Sequence, residues 1–198
     1  MRQAETFRRS EGDAWLLRNE TKLTVRDDPV LDAIGSLNLR PSSVLEIGCS
    51  NGWRLKALQN KYSCNITGVE PGKMKESFIL RGTAERLPIN KLKFDLVIFG
   101  WCLYLCDRED LFKIAGEADR VLREDGYLIV YDFFAVNPHR RKYKHVGGLH
   151  SYKYDYRLLW LGNPIYTQIY QSIMGKGDDM TTVSILQKST EKGWPLRD

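Results

Sequence analysis

The stretch VLEIGCSNG, residues 44 to 52, constrains this chain more than any other. Val44 to Ile47 is strand-like and apolar except for Glu46, and it runs directly into a turn bounded by Gly48 and Gly52. NGWRLKALQNKY then reads as a helix with Leu55 and Leu58 facing inward. A glycine-punctuated turn after a buried strand makes room for a ligand. A phosphate-cradling P-loop would need Gly-Lys-Ser/Thr at the helix start, and none is present. A dinucleotide turn would need a third glycine between the other two, so that the backbone can meet the pyrophosphate. Ser50 stands in that place, and its side chain would crowd a pyrophosphate. The remaining candidate is a ligand with an adenosine end, no phosphate, and a cationic end that tolerates the carboxylate of Glu46. S-adenosylmethionine, with its sulfonium and ammonium, meets that description.

The rest of the chain places this turn in an alternating pattern. Asp28-Pro29 is a helix start, followed by Val30, Leu31, Ile34 and Leu37 at helical spacing. CNITGVE is a second strand ending on Glu70, which is placed to accept hydrogen bonds from ribose hydroxyls. FDLVIFG is a third apolar run, of the kind buried on both faces of a sheet. Asp107 is expected to cap a helix carrying Leu111, Ala115, Ala118 and Leu122, stopped by Asp125-Gly126. YLIVYDFF is another buried strand, and IYTQIYQSIM and MTTVSILQKS read as an antiparallel hairpin. The pattern predicts a single α/β domain, Rossmann-like and doubly wound, with a mostly parallel sheet and a C-terminal antiparallel hairpin. We divide it as residues 1–27, an N-terminal helical segment with a polar surface; 28–189, the main domain; and 190–198, a tail. Only PGKMKES separates Glu70 from the next strand at Phe78, too little for a full crossover helix, so the pocket should be thinly covered there.

The order of pieces VLEIGCSNG, GVEP, GTAERLPI, FDLVIFGWCLYL and ADRVLREDGYLIV resembles that of the class I S-adenosylmethionine-dependent methyltransferases, over roughly residues 28 to 189. The resemblance implies the cofactor S-adenosylmethionine, with Glu46, Gly48, Cys49, Ser50, Asn51 and Gly52 around its methionine part and Glu70 and Pro71 at the ribose. It implies Thr83, Ala84 and Glu85 beside the adenine, and Gly100 and Trp101 beside the sulfonium. The missing helix after Glu70 departs from the family.

The acceptor is constrained more weakly. GWCLYL stands where methyltransferases acting on base nitrogens or glutamine amides carry Asn/Asp-Pro-Pro-Tyr/Phe, which disfavours those substrates. Trp101 and Tyr104 either shape a small-molecule pocket or pack beneath the next helix. Residues 137 to 160 hold all three histidines, with six Lys/Arg and five Tyr/Trp, and follow a strand end, where acceptor loops lie in such folds. A basic, aromatic loop suits an anionic acceptor; the plain alternative is a solvated basic surface. Gly12, Trp15, Arg18 and Asn19, with Ser151, Tyr152, Lys153, Asp155 and Tyr156, resemble paired segments of the methyltransferases associated with pseudaminic acid biosynthesis, with His150 in place of an aromatic residue. That resemblance implies a sugar or glycan-precursor acceptor.

Methyl transfer is an in-line displacement in which alignment supplies most of the catalysis. For a hydroxyl acceptor, His145 is the first candidate for a general base and Asp132 the second. Trp15, Arg18, Tyr104, His150, Tyr152 and Lys153 are the candidate substrate contacts. The rival readings are an RNA or protein methyltransferase using the basic loop, and a scaffold that binds the cofactor without turnover. The net charge of +5 permits an anionic partner without demanding nucleic acid. The four cysteines lack paired zinc spacing and read as reduced, mostly buried thiols of a cytoplasmic protein, with no metal expected.

Overall fold

The computed structural model describes residues 2–23, 27–91 and 93–190. Its centre is a seven-stranded sheet in the order β3-β2-β1-β4-β5-β9-β8. The strands are β1 (Ser43–Ile47), β2 (Asn65–Glu70), β3 (Ile79–Arg81), β4 (Phe94–Gly100), β5 (Leu122–Phe133), β8 (Tyr166–Met174) and β9 (Thr181–Lys188). β1 to β5 pair in parallel, while β9 runs antiparallel between β5 and β8. The expected hairpin is therefore present, and β8 is its outer, edge strand.

Alternation along each strand divides the core into two layers. Val44, Leu96, Ile98 and Ile129 face one cluster, with Val30 and Ile34 from α3 (Pro29–Ser36) and Leu55 and Leu58 from α4 (Trp53–Tyr62). Leu45, Ile47, Val97, Phe99, Leu128 and Val130 face the other, with Ile114 and Ala118 from α5 (Leu111–Val121) and Trp160 from α6 (Leu158–Leu161). Every residue of β4 is buried, as a strand covered on both faces requires. Asp28 caps α3, accepting from the Val30 and Leu31 amides at 3.1 Å each, with Pro29 at the first helical position. No helix intervenes between β2 and β3, as the short spacer required.

Two local expectations are corrected. α5 ends at Val121, so Leu122 belongs to β5 and Asp125-Gly126 lies inside that strand; the buried stripe is Ile114, Ala115, Ala118 and Val121. Asp107 does not cap α5. Its carboxylate instead accepts from the backbone amides of Gln3 (2.8 Å) and Ala4 (3.0 Å), at the start of α1 (Gln3–Thr6). Both readings rested on local pattern, and a partner more than 100 positions away took the carboxylate.

The N-terminal segment is less superficial than its polarity suggests. α1, a π-helical stretch (Phe7–Glu11) and α2 (Gly12–Asn19) run on as one helical arm in which Gln3, Phe7, Glu11 and Gly12 are buried. The Gln3 side chain donates to Leu105 O (2.6 Å) and accepts from the His150 amide (2.8 Å). On the opposite side Asp13 accepts from the Lys73 amide at 2.6 Å. A Cβ on Gly12 would lie 2.9 Å from Gly72 N, so the arm approaches the loop after β2 backbone to backbone. Asp107→Ala should free the amides of Gln3 and Ala4 and cost about 1 kcal/mol, the usual scale of a lost helix cap. Hydrogen exchange checks this, because protection should fall at residues 3–6 and persist in β4; unchanged protection at both would refute the capping role.

Candidate functional site

A cavity of about 680 Å³ opens beyond the carboxyl ends of β1, β2 and β4, where the sheet order reverses. The turn after β1 forms its floor. Gly48 (φ +75°) and Gly52 (φ +73°) are both left-handed, and a Cβ on Gly48 would meet Cys102 Cβ at 2.8 Å. Ser50 is also left-handed at φ +54°, a conformation rare for a residue with a side chain, and its hydroxyl accepts from the Asn51 amide at 2.6 Å. Glu70 ties this turn to β2 by accepting from the Ser50 amide (2.9 Å) and the Gly72 amide (3.3 Å). Burial raises its carboxyl above the ordinary range, against the pull of those two amides.

A buried charge cluster stands next to the turn. Arg54, in the first turn of α4, donates to Asp28 through Nε (3.0 Å) and Nη2 (2.9 Å), and to Glu46 through Nη1. A cation at a helix N-terminus opposes the helix dipole, and the two carboxylates offset that cost. Burial pushes the Glu46 carboxyl up to about 7, although Arg54 pulls the other way. Glu46 Oε2 is buried and has no hydrogen-bond partner. Buried acceptors are normally paired, so this orphaned oxygen at the cavity wall fits a donor carried by a ligand, and a cationic ammonium best of all.

Thr83, Ala84 and Glu85 line the wall beyond β3, where the Thr83 hydroxyl donates to Glu85 at 2.7 Å. At the end of β4, Trp101 holds φ +59° while its amide donates to Tyr131 O at 2.8 Å. Its ring packs edge-on against Tyr104, Tyr131 and Phe133, with centroids 6.1, 5.1 and 4.9 Å away. Trp15, from the N-terminal arm, lines the cavity together with Tyr104. Phe7 and Gly12 of the same arm complete the enclosure.

Among the residues singled out for the cofactor, Glu46, Gly48, Cys49, Ser50, Glu70, Pro71, Thr83, Ala84, Glu85, Gly100 and Trp101 line the cavity. Asn51 and Gly52 shape the turn from outside the lining: Asn51 donates to Leu23 O and accepts from the Trp53 amide. Trp15 and Tyr104 line the cavity; Arg18, His150, Tyr152 and Lys153 do not. Arg18 pairs with Glu11, which also accepts from the Tyr143 hydroxyl at 2.7 Å, so it locks the arm to the loop after β5.

Neither expected base reaches the lining. His145 is exposed at the turn between β6 (His139–Lys142) and β7 (His150–Lys153), with its ring edge-on to Tyr143. A count of histidines in a loop cannot say which way a hairpin turns them. Asp132 is fully buried behind the cavity and accepts from the amides of Tyr104 (3.2 Å) and Phe133 (2.7 Å). Burial raises it to about 7, so it stabilises the fold when protonated, and that contribution is lost as pH rises through 7. It braces the Trp101–Tyr104 turn and stays out of the cavity wall.

The residues that sequence reasoning missed are Arg54, the second role of Asp28, and Phe7. A faint signal existed for Arg54: a lone arginine in a first helical turn, against the dipole, calls for a specific anionic partner. No group of described residues has the makings of a metal site.

Residues 45–130 match the family model described as a methyltransferase domain, and the fold is Rossmann-like. Its solved relatives in fold share little sequence. The 1,6-didemethyltoxoflavin-N1-methyltransferase of Burkholderia thailandensis superposes with TM-score 0.69 at 16% identity, covering 93% of this chain and 84% of that one. A S-adenosylmethionine-dependent methyltransferase of Methanosarcina mazei gives 0.63 at 16%, covering 84% and 100%. The N-methyltransferase NodS of Bradyrhizobium japonicum, in complex with S-adenosylhomocysteine, gives 0.58 at 14%, covering 89% and 98%. A Haemophilus influenzae protein is 28% identical over 113 residues, 49% of this chain and 45% of that one. The chain thus spans about half the length of the curated relative it matches.

Proposed function

We propose that this protein transfers a methyl group from S-adenosylmethionine to an uncharged nucleophilic atom, a hydroxyl above all, of a small sugar-like molecule. The cofactor would supply an electrophilic methyl group. Glu46 and the amides of the Gly48–Gly52 turn would hold its methionine part, Glu70 its ribose, and Thr83 to Glu85 its base. The observation that carries the reading is Glu46 Oε2, a buried carboxylate oxygen left without a donor at the wall of the cavity.

The wall also bears on the acceptor. Phe7, Trp15, Trp101, Tyr104, Leu105 and Tyr131 form its aromatic and apolar stretch, which carries no cation among the described lining residues. The lining's cations are Lys22 and Arg54, and Arg54 is taken up by Asp28 and Glu46. An ionised carboxylate as accepting atom would lack a counter-charge on the aromatic stretch. The hydroxyl of a sugar or glycan precursor is therefore favoured over its carboxylate, and any anionic part of the acceptor would have to reach the basic hairpin. The likeness of residues 150–156 to the pseudaminic acid-associated methylases supports a sugar. A nitrogen acceptor is the second reading, because the lining offers no imidazole and a neutral amine attacks without first losing a proton.

A screen with methyl-labelled cofactor against sugar nucleotides and small amines tests the reading. With a responding acceptor, Trp15→Ala should lower kcat/KM at least tenfold, while His145→Ala should leave kcat within twofold. A hundredfold loss in His145→Ala would reinstate that histidine as the base and overturn the site described here.

A further inference from the structure

A second cavity, of about 340 Å³, lies behind the β6–β7 hairpin, and Arg108, His139, Arg140 and Lys153 line it without any carboxylate. Lys153 is 3% exposed, and its ammonium lies over the Phe133 ring, with no hydrogen-bonding or ion-pairing side chain among the described residues. The side chain is buried while its ammonium, on the cavity lining, has only a ring face beside it, which leaves its three N–H donors open to a ligand. Burial, with Arg141 nearby, pulls its amine down to about 8; Asp132, Asp178 and Asp179 act the other way without reaching it. Arg108 stacks over Tyr152, 4.3 Å from the ring centroid, and spends its donors on the carbonyls of Leu103 and Cys106 and the Tyr156 hydroxyl. It thus contributes fixed positive charge without a carboxylate. Arg140 is exposed and has no ion pair among the described residues. His139 faces Asp178 at 3.6 Å, from outside the cavity.

We propose that this cavity binds a phosphate group. Lys153 and Arg140 supply free donors, and Arg108 the fixed charge, on one concave surface. The Phe133 ring separates it from the first cavity, since Trp101 packs on that ring from the cofactor side. The assignment stands on these residues and does not depend on the methyl-transfer reading.

Calorimetric titration of the whole chain with inorganic phosphate and with uridine 5′-monophosphate tests it. At least one probe should bind saturably, and Lys153→Met and Arg140→Ala should each weaken that binding at least tenfold. Binding of S-adenosylhomocysteine to both variants should stay within twofold. Tighter binding of the nucleotide would mark an organic phosphate as the ligand, and equal or tighter binding of inorganic phosphate would mark the free ion. Lack of saturable binding by either probe overturns the proposal, as does unchanged affinity in Arg140→Ala, whose exposed side chain leaves folding unaffected.

Discussion

Arg54→Leu should destabilise the protein by about 3–5 kcal/mol at neutral pH, the range for breaking a buried ion pair from one side. The substitution leaves Asp28 and Glu46 buried without their common cation. Asp28 would still cap α3, but Glu46 would keep only the desolvation that already raises it. The pH dependence gives the sign. A carboxyl whose folded-state value lies above its unfolded one favours folding when protonated, and that favour is lost as pH rises through the folded value. Urea unfolding of the variant should therefore show a deficit that shrinks from pH 8 to pH 5. A loss below about 1 kcal/mol at pH 8 would mean that water reaches and screens the cluster.

Glu70→Ala should weaken S-adenosylhomocysteine binding at least a hundredfold, or about 2.7 kcal/mol, in calorimetry. Two losses combine. On the proposed assignment the ribose would lose its acceptor; the amides of Ser50 and Gly72 would also lose theirs, so the turn that lines the cavity would no longer be held against β2. Glu70→Gln separates these losses. Its carbonyl oxygen can keep one amide, so its affinity should fall between the other two proteins while its unfolding midpoint stays near that of the parent. Affinity within threefold of the parent in Glu70→Ala would refute the proposed ribose role of Glu70.

The elements around the turn were legible because their causes are local. Alternation and apolar runs announced β1, β4 and β5, Asp28-Pro29 announced α3, and the missing glycine at Ser50 narrowed the ligand. What escaped the sequence depends on partners far away. The carboxylate of Asp107 looks like a cap for the helix that follows it, yet its amides come from residues 3 and 4. The arm read as polar surface because its buried positions, Gln3 and Glu11 among them, are polar residues satisfied by distant loops. The loop from 137 to 160 announced its charge and aromaticity, but those properties do not determine which side of a hairpin faces a cavity. As a result, His145 stands in solvent while Lys153 is buried elsewhere.

The arm's anchors also set an order of events during synthesis. It leaves the ribosome ahead of its anchors, because Leu105, Asp107 and His150, which hold Gln3 and Ala4, are made more than 100 residues later. The sheet can pair from β1 to β5 before those anchors are complete, while the arm waits with its polar groups in water. The wall that encloses the cavity is thus encoded ahead of the sheet but can be fixed only after residue 150 has been made. A chain interrupted before His150 would have the turn after β1 without its cover.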